Sequence, residues 1–289
     1  MVATLISLGA NLGDPRESMF AAKRLLLDSF GVSNVRCSRL YRTPPVGGPS
    51  GQGDFLNAVA AIQTDKSVWE VWEKIKSIEL ILGRQRQLRW EARRIDIDLL
   101  LYGDHRIWTP RLKVPHPRMC MRTFVLFPAC EVASDWVDPV TRWSISKLAE
   151  NLRSAENCRL SVVCPEQSVF QELQVLVGSP PSAKWKIEWR HEHANEREPT
   201  HEWNCLGHSS HLAIYAVASP DPMTILWEDY SFPWAGMLGL STVGCDAREN
   251  VLISGPRYLM PANDLQWAAH EIHSAQQAMT CIIEPVEAF

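Results

Sequence analysis

The sequence predicts an α+β fold, in which a first half with the order β-α-β-β-α-β precedes a second, smaller α/β unit. Two observations support this prediction. Apolar residues alternate in some segments and recur every three or four residues in others, as expected for strands and helices. Glycine and proline separate these segments up to about residue 160, and beyond that point the composition of the chain changes.

The predicted elements of the first half follow one another closely. Residues 2–8 alternate as a strand and stop at a glycine-rich turn. Asp14 is a favourable helix N-cap and Pro15 fits the first helical position, with an apolar stripe that ends before Gly31. The segments that follow are predicted as strands over 35–41 and 55–62, a helix over 68–82 and a strand around Asp96.

This order is the split βαβ pattern of ferredoxin-like folds. In such folds both helices lie on one face of an antiparallel sheet, so the other face and the long loops are left free to form a site. A proline-rich loop is predicted over 110–128 and a short helix over 145–152. These two elements complete the first predicted domain, residues 1–160.

Composition excludes several classes of protein. With 46% apolar and 21% charged residues, the 289-residue chain has the composition of a globular protein. Its formal net charge of −4 gives no general attraction for nucleic acid, and no apolar run is long enough to span a membrane. The N-terminal segment lacks the basic start of a signal peptide. The eight cysteines form no C-x-x-C pair, which favours reduced thiols and a cytoplasmic location.

The sequence RRIDID at 93–98 is the most informative segment. Side chains two apart on a strand share a face, so Asp96 and Asp98 are predicted to project together, away from Ile97. Two adjacent carboxylates repel each other unless a cation lies between them, and such oxygen ligands suit Mg²⁺ with substrate phosphates. The alternative is an edge strand with a solvated acidic face. The nearby arginines that could bind phosphate are Arg84, Arg86, Arg89, Arg93 and Arg94.

Six short motifs occur in order along residues 1–155. They are GANLGDP at 9–15, YRTPPVG at 41–47, DFLNA at 54–58, IELILGR at 78–84, RRIDID at 93–98 and VPHPRM at 114–119. In these motifs the chain resembles the 6-hydroxymethyl-7,8-dihydropterin pyrophosphokinases of the folate pathway. The resemblance implies that ATP gives its β,γ-pyrophosphate to the pterin hydroxymethyl group and leaves as AMP, with ATP and the pterin as the small-molecule partners.

The resemblance also implies roles for single residues. Asp96 and Asp98 would bind two Mg²⁺ ions together with ATP, and Arg84 and Arg93 would act with them in catalysis. The pterin ring would lie between two phenylalanines. The residues implied to bind the pterin are Thr43, Pro44, Val46, Phe55, Asn57 and Phe124. The residues implied to bind ATP are Lys76, Glu79, Arg84, Arg93, Ile97, Arg111, Lys113, His116 and Arg122.

Several of these roles have a plainer alternative. Phe55 and Phe124 are also compatible with core packing. His116 could be a hydrogen-bonded loop histidine, and Glu79 could form a simple salt bridge. Three departures from the family pattern affect loop closure and turnover rather than the expected reaction. They are Ala10 in place of serine, Lys76 in place of glutamine, and Glu91-Ala92 in place of Gly-Pro.

The second predicted domain, residues 161–289, resembles no family that the motifs identify. Strands are predicted over 212–218 and 223–227, and a helix over 264–279. The sequence contains no phosphate loop of the G-x-x-x-x-G-K-[ST] type. The domain could be a nucleotide-kinase-like module, a regulatory appendage or a dimerisation unit through which an oligomer forms.

A cluster of metal-type ligands also lies in the second predicted domain. Zinc sites usually pair their ligands at tight, duplicated spacings, and the spacing here is irregular. A solvated connecting segment is therefore favoured over a zinc site. The members of the cluster are His191, His193, His201, Cys205, His208 and His211.

Two other functions stay open at this point. The chain could be a non-catalytic pterin or nucleotide sensor that has kept the fold. Alternatively, the second half of the chain could carry the activity, and the first half could bind the substrate. The presence of the acidic pair, Asn57 and the arginines favours the enzyme. Neither a nucleic acid nor a membrane is expected as a partner.

Overall fold

The computed structural model describes most of the chain in several ranges. These are residues 1–83, 93–154, 159–164, 166–179, 186–191, 211–217 and 255–289. Within these ranges no helix is both long and apolar enough to cross a membrane.

Helices and strands are numbered here in chain order. The strands are β1 (Val2–Ala10), β2 (Val35–Cys37), β3 (Leu40–Thr43), β4 (Phe55–Thr64), β5 (Asp96–Tyr102), β6 (Ile107–Trp108), β7 (Lys113–Val114), β8 (Arg159–Cys164), β9 (Lys186–His191), β10 (Leu212–Val217), β11 (Arg257–Pro261) and β12 (Glu284–Glu287). The helices are α1 (Pro15–Phe30), α2 (Val68–Ile81), α3 (Thr123–Ala133), α4 (Ile145–Arg153), α5 (Gln167–Val177) and α6 (Leu265–Met279).

The first sheet has the strand order β12-β3-β4-β1-β5, and the short strand β2 also pairs with β4. All of these pairs are antiparallel. Helix α1 therefore connects two parallel strands with β4 between them, and α2 connects two parallel strands with β1 between them. The protein thus has the mixed α+β content that the sequence predicts.

Local sequence explains where the first two helices begin. The carboxylate of Asp14 accepts a hydrogen bond from the backbone N–H of Glu17 (2.9 Å), and Pro15 occupies the first turn of α1. Helix α2 begins with a reciprocal capping box between Ser67 and Glu70. Helix α1 therefore begins where Asp14 predicts, and α2 begins at Val68, the first residue of the predicted helix.

Two predicted elements differ from the structure. The strand predicted over 35–41 is interrupted, because Ser38 bonds to Val59 through both its backbone N–H and its side chain. The loop predicted over 110–128 ends early, since α3 begins at Thr123 and contains Pro128. Proline in a helix interior removes a hydrogen bond and costs about 3 kcal/mol. Helix α3 tolerates it because most of its side chains are buried.

The two faces of the first sheet are covered differently. One face packs against α1 and α2, in a core that includes Ile6, Leu8 and Ala60. The opposite face was expected to be left free, but α3 packs against it across β4 and β1. A cavity lies on this face near the N-terminal end of α3, where Phe124 and Val125 line it.

The second sheet is parallel throughout and has the order β11-β10-β8-β9. Helices α5 and α6 pack against each other beside it. Its strands share one hydrophobic cluster with the covered face of the first sheet, from Leu5 and Val59 to Val162, Ile214 and Ile272. The boundary near residue 160 stays a prediction, but β12, beyond that boundary, pairs with β3 in the first sheet.

The histidine and cysteine cluster is described at two positions. His191 ends β9 opposite Cys164, whereas His211 precedes β10 and hydrogen-bonds to Arg159 at the other end of β8. These two histidines therefore lie at opposite ends of the sheet. Several predicted features lie outside the described residues. They are the other members of the cluster, the predicted strand over 223–227, Glu91-Ala92, Arg84, Arg86 and Arg89.

Candidate functional site

A cavity of about 300 Å³ lies on the face of the first sheet opposite α1 and α2. Strand pairing places Asn57, Gly9 and Asp96 side by side on β4, β1 and β5. A side chain at Gly9 would bring its Cβ within 3.2 Å of the Asn57 amide oxygen. Glycine at this position therefore leaves room for the Asn57 side chain beside the central strand.

The acidic end of the cavity is formed by β5. Asp96 and Asp98 both line the cavity, while Ile97 between them is fully buried in the core on the other face. Arg93 forms an ion pair with Asp96. The carboxylate of Asp98 lies 3.6 Å from His116 Nε2 and 3.7 Å from Arg122 Nη1. The acidic pair therefore faces three nitrogen-bearing side chains across the cavity.

His116 is held as a neutral hydrogen-bond donor. Burial, with the nearby charges of Arg122 and Arg118, lowers the pKa of His116 well below its ordinary value. Its Nδ1 accepts a hydrogen bond from the backbone N–H of Arg118 (3.1 Å). In the neutral ring the proton is then on Nε2, the nitrogen that faces Asp98.

A buried carboxylate on the core side of β5 supports the strand that carries the acidic pair. Glu79 on α2 is 2% exposed, and its Oε1 accepts a hydrogen bond from the backbone N–H of Ile97 (2.8 Å). Its Oε2 lies 2.8 Å from Lys76 Nζ, and Lys76 lines the cavity. Glu79 thus joins the middle of the acidic strand to a cavity lysine.

The glycine-rich turn after β1 is tied to the arginine that precedes β5. The backbone N–H groups of Asn11 and Leu12 both donate to the carbonyl oxygen of Arg93, at 3.0 and 3.1 Å. The side-chain oxygen of Asn11 accepts from the Arg93 N–H at 2.8 Å. These bonds fix the backbone of Arg93 at the mouth of the cavity.

The other end of the cavity carries aromatic and amide groups. Phe55 and Phe124 both line it, and the guanidinium carbon of Arg122 lies 5.6 Å from the centre of the Phe124 ring. The side chain of Asn57 donates to Thr43 Oγ1 at 2.9 Å, so its amide orientation is fixed. Two aromatic faces and a fixed amide suit a flat heterocycle with polar edges.

The cavity brings together most of the residues that the sequence singles out. Six of them are the residues that the resemblance implies to bind the pterin: Thr43, Pro44, Val46, Phe55, Asn57 and Phe124. The others that line it are Lys76, Arg93, Asp96, Asp98, His116 and Arg122.

Four residues implied to bind ATP lie elsewhere. Glu79 and Ile97 are buried behind the acidic strand, in the contacts given above. The guanidinium carbon of Arg111 lies 4.9 Å from the centre of the Trp72 ring, and Lys113 Nζ lies 4.5 Å from the centre of the Trp108 ring. Neither of these cations lines the cavity.

Sequence reasoning missed a second group of cavity residues. Arg118 lies within the VPHPRM motif and could have been proposed as a site residue from its place beside His116. Four more come from α6, more than 140 residues further along the chain, and their spacing on one helical face was the signal available for them. They are Glu271, Ser274, Ala275 and Ala278.

The donor set at the acidic end fits Mg²⁺ bound together with a phosphate ligand. Among the described residues, no group of three or more histidine, cysteine, aspartate or glutamate side chains could hold a metal ion. Mg²⁺ commonly uses only one or two protein carboxylates and takes its other oxygens from water and substrate phosphates. The pair Asp96 and Asp98, lining a cavity with several cations, matches that requirement.

Comparison with known proteins agrees with this arrangement. Residues 5–134 match the family described as 7,8-dihydro-6-hydroxymethylpterin-pyrophosphokinase (HPPK). The 2-amino-4-hydroxy-6-hydroxymethyldihydropteridine pyrophosphokinase of Haemophilus influenzae is 40% identical over 139 residues, which are 48% of this chain and 86% of that enzyme. The enzyme of the same name from Pseudomonas aeruginosa is 42% identical over 134 residues, 45% of this chain and 80% of its own.

A solved structure of Plasmodium falciparum HPPK-DHPS with pteroate is 12% identical, with a TM-score of 0.42. The match covers 80% of this chain and 65% of that one. The two bacterial enzymes are each matched over more than two thirds of their length at 40% identity or more. The chain therefore belongs to the 7,8-dihydro-6-hydroxymethylpterin-pyrophosphokinase family.

Proposed function

We propose that the cavity beside Asp96 and Asp98 is where this protein carries out the reaction of its family. That reaction transfers the β,γ-pyrophosphate of ATP to 6-hydroxymethyl-7,8-dihydropterin and releases AMP. One observation carries the proposal: the acidic pair, the two phenylalanines and Asn57 all line the same cavity. A phosphate-binding end and a ring-binding end thus adjoin, as transfer between two bound substrates requires.

At the acidic end, Asp96 and Asp98 would hold two Mg²⁺ ions together with ATP. When bound, these ions would neutralise phosphate charge and lower the pKa of the attacking hydroxyl group. Arg93, Arg122 and Lys76 would then supply positive charge to the phosphate oxygens. His116, held neutral, would donate a hydrogen bond from Nε2 rather than accept a proton.

At the ring end, Phe55 and Phe124 would lie on the two faces of the pterin, and Asn57 would bond to its polar edge. Thr43 supports this role of Asn57, because their hydrogen bond fixes which way the amide points. Pro44 and Val46 would bound the ring from the loop after β3. Stacking between aromatic faces orients a flat ring without a charged partner.

The reaction proceeds by one displacement at phosphorus. The pterin hydroxymethyl oxygen forms a bond to the β-phosphorus of ATP, and the bond from that phosphorus to the α–β bridging oxygen breaks. AMP leaves with the bridging oxygen, and the hydroxyl proton is released. Catalysis of this kind depends on positioning and charge stabilisation, so no side chain is assigned as a strong base.

The fold supports a finer assignment as well. The strand order β3-β4-β1-β5, with each of two helices crossing one antiparallel strand, is the arrangement of a ferredoxin-like sheet. We extend the proposal to this topology for the first half of the chain. This topology explains how the site is formed. It makes β1, β4 and β5 neighbours, so that their polar side chains meet at one end of one face of the sheet.

The test is pterin-dependent AMP formation from ATP and Mg²⁺ by the full-length protein and two variants, Asp96→Asn and Asp98→Asn. Each variant keeps the shape of the side chain and removes its charge. We expect each to lower kcat/KM by about 100-fold or more, which corresponds to about 3 kcal/mol of transition-state stabilisation.

Asp104→Asn is the matched control, because Asp104 follows the same strand and its side chain is 99% exposed. This variant should retain wild-type activity. The proposal is wrong if Asp96→Asn and Asp98→Asn form AMP at the rate of Asp104→Asn.

A further inference from the structure

Helix α6 forms a wall of the cavity although it belongs to the second half of the chain. Four of its residues line the cavity, at positions that lie on one face of a helix. They are Glu271, Ser274, Ala275 and Ala278. The two alanines are small, so the helix approaches the cavity closely and still leaves space within it.

Helix α6 and the residues just after it are hydrogen-bonded to the loop after β3 and to the start of α3, which both border the ring end. The side-chain oxygen of Gln277 accepts a hydrogen bond from the backbone N–H of Gly47 at 3.1 Å, one residue after Val46. Thr123 at the start of α3 donates to the carbonyl oxygens of Ala278 and Cys281, at 3.2 and 2.8 Å. These bonds therefore fix the position of α6 relative to Val46 on one side and Phe124 on the other, two residues implied to bind the pterin.

A buried ion pair also joins the two halves. Arg118 Nε lies 2.5 Å from Glu271 Oε1, and the side chain of Glu271 is only 1% exposed. The guanidinium carbon of Arg118 lies 5.9 Å from the centre of the Tyr258 ring on β11. Two elements of the second half, α6 and β11, thus hold an arginine that lines the cavity.

Arg118 adds to a concentration of positive charge. Arg118 and Arg122 both line the cavity that holds Asp98, and Arg122 Nη1 lies 3.7 Å from the Asp98 carboxylate. Two guanidinium groups on one cavity wall offer several hydrogen-bond donors to an anionic ligand with several oxygens. A phosphate group matches the planar, multi-donor geometry of arginine.

We propose that Arg118 is a phosphate-binding residue of this site and that Glu271, from the second half of the chain, is the residue that positions it. This inference rests on the proposed function of the cavity. It makes the second half a component of the catalytic unit. The ligand is a phosphate group of the nucleotide or of the transferred pyrophosphate.

The test compares four full-length variants by two readouts. The variants are Arg118→Gln, Arg118→Lys, Glu271→Gln and the double variant Arg118→Gln/Glu271→Gln. The first readout is binding of α,β-methylene-ATP with Mg²⁺, an analogue whose α–β bridge cannot be cleaved. The second is the separate determination of kcat and of KM for ATP and for the pterin.

We expect Arg118→Gln to weaken analogue binding by about tenfold or more, the range for a lost hydrogen bond to a charged group. Glu271→Gln should weaken it less, by about threefold to tenfold, because Arg118 is still present but less well oriented. The double variant should bind no more weakly than Arg118→Gln, since Glu271 acts only through Arg118. In each case KM for ATP should rise more than KM for the pterin.

Glu172→Gln is the matched control, because Glu172 is an exposed carboxylate on the neighbouring helix α5. The inference is overturned if Glu271→Gln binds the analogue as tightly as Glu172→Gln does. It is also overturned if the two single effects multiply in the double variant. A purely structural role would lower Tm and kcat while KM for ATP stayed unchanged.

Two further outcomes keep the test decisive. If Glu271→Gln failed to fold, Arg118→Lys, which keeps the buried charge, would still have to bind the analogue several-fold more weakly than wild type. Wild-type binding by both Arg118→Lys and Arg118→Gln would overturn the inference. If the full-length protein formed no AMP, the proposed function would fail, while the binding measurement would still decide the role of Arg118.

Discussion

At the scale of single residues, Glu79 shows how a buried charge can support a site without entering it. One of its carboxylate oxygens accepts from the backbone N–H of Ile97, and the other pairs with Lys76. Removing one member of a buried pair leaves the other charge without compensation. The orientation of the strand between Asp96 and Asp98 therefore depends on a residue from α2.

We predict that Glu79→Ala lowers the free energy of unfolding by about 2–4 kcal/mol, because the buried N–H of Ile97 and the half-buried ammonium group of Lys76 both lose their contact with the Glu79 carboxylate. Urea denaturation of the full-length protein measures this change. Glu73→Ala on the exposed side of the same helix is the control, and we expect it to change stability by less than about 0.5 kcal/mol. Equal stability of the two variants would show that Glu79 does not support the strand.

Residues whose neighbours are close in sequence were the ones that could be predicted. Asp96 and Asp98 share a face because a strand has a period of two, and the structure places both on the cavity. Arg111 and Lys113 could not be assigned in this way. Their side chains are long, and the aromatic rings that they contact belong to Trp72, a distant residue, and Trp108, a residue across a hairpin.

At the scale of elements, side chains that cap helices can be read from the local sequence, whereas the edge strand β12 was not predicted. Helices α1 and α2 begin at residues that the sequence marks with a capping side chain. Strand β12 carries no comparable signal, since it is short, contains Pro285 and is mostly exposed. It forms because β3 offers an unpaired edge, and that edge is set by the fold of residues far away in the sequence.

We predict that deletion of residues 284–289 lowers the free energy of unfolding by about 1–2 kcal/mol, through the lost strand pairing and the lost contact of Phe289 with Phe20. Their ring centres lie 5.4 Å apart in an edge-to-face arrangement. The deletion should also raise KM for the pterin, because β3 carries Thr43. The measurements are a urea midpoint and steady-state kinetics.

Val286→Ala is the control for this deletion. Val286 lies in β12 but is 41% exposed, so its replacement should leave both stability and KM near their wild-type values. The prediction is contradicted if the deletion has no larger effect than Val286→Ala.

At the scale of the whole molecule, the two halves share their largest hydrophobic cluster. The composition change near residue 160 predicts a second domain, but composition cannot show which surfaces face each other. The clearest case is the face of the first sheet opposite α1 and α2. It was expected to be open, and it is covered by α3, which also packs against α4 and against α6 of the second half. Helix α6 lines the cavity because of that packing, and no local sequence motif indicates it.

We therefore predict that a protein ending at Ser154 loses both stability and activity. Its α3 and α4 would expose apolar side chains, including Leu126 and Leu148, that now belong to one hydrophobic cluster with residues of β8, β10 and α6. Exposed apolar surface costs about 25 cal/mol per Å², so even a few such side chains would remove much of the stability of a single domain. Arg118 would also lose Glu271 and Tyr258, and the cavity would lose one wall.

Thermal unfolding, near-ultraviolet circular dichroism and pterin-dependent AMP formation are measured for the truncated and the full-length protein. The truncated protein is expected to show no cooperative transition, or one at much lower temperature, and no AMP formation above background. Addition of separately purified residues 159–289 is the matched control, since recovery of activity would trace the loss to the missing half rather than to irreversible aggregation. A truncated protein that unfolds cooperatively near the wild-type Tm and keeps the wild-type kcat would show that the second half is an appendage to an independent enzyme.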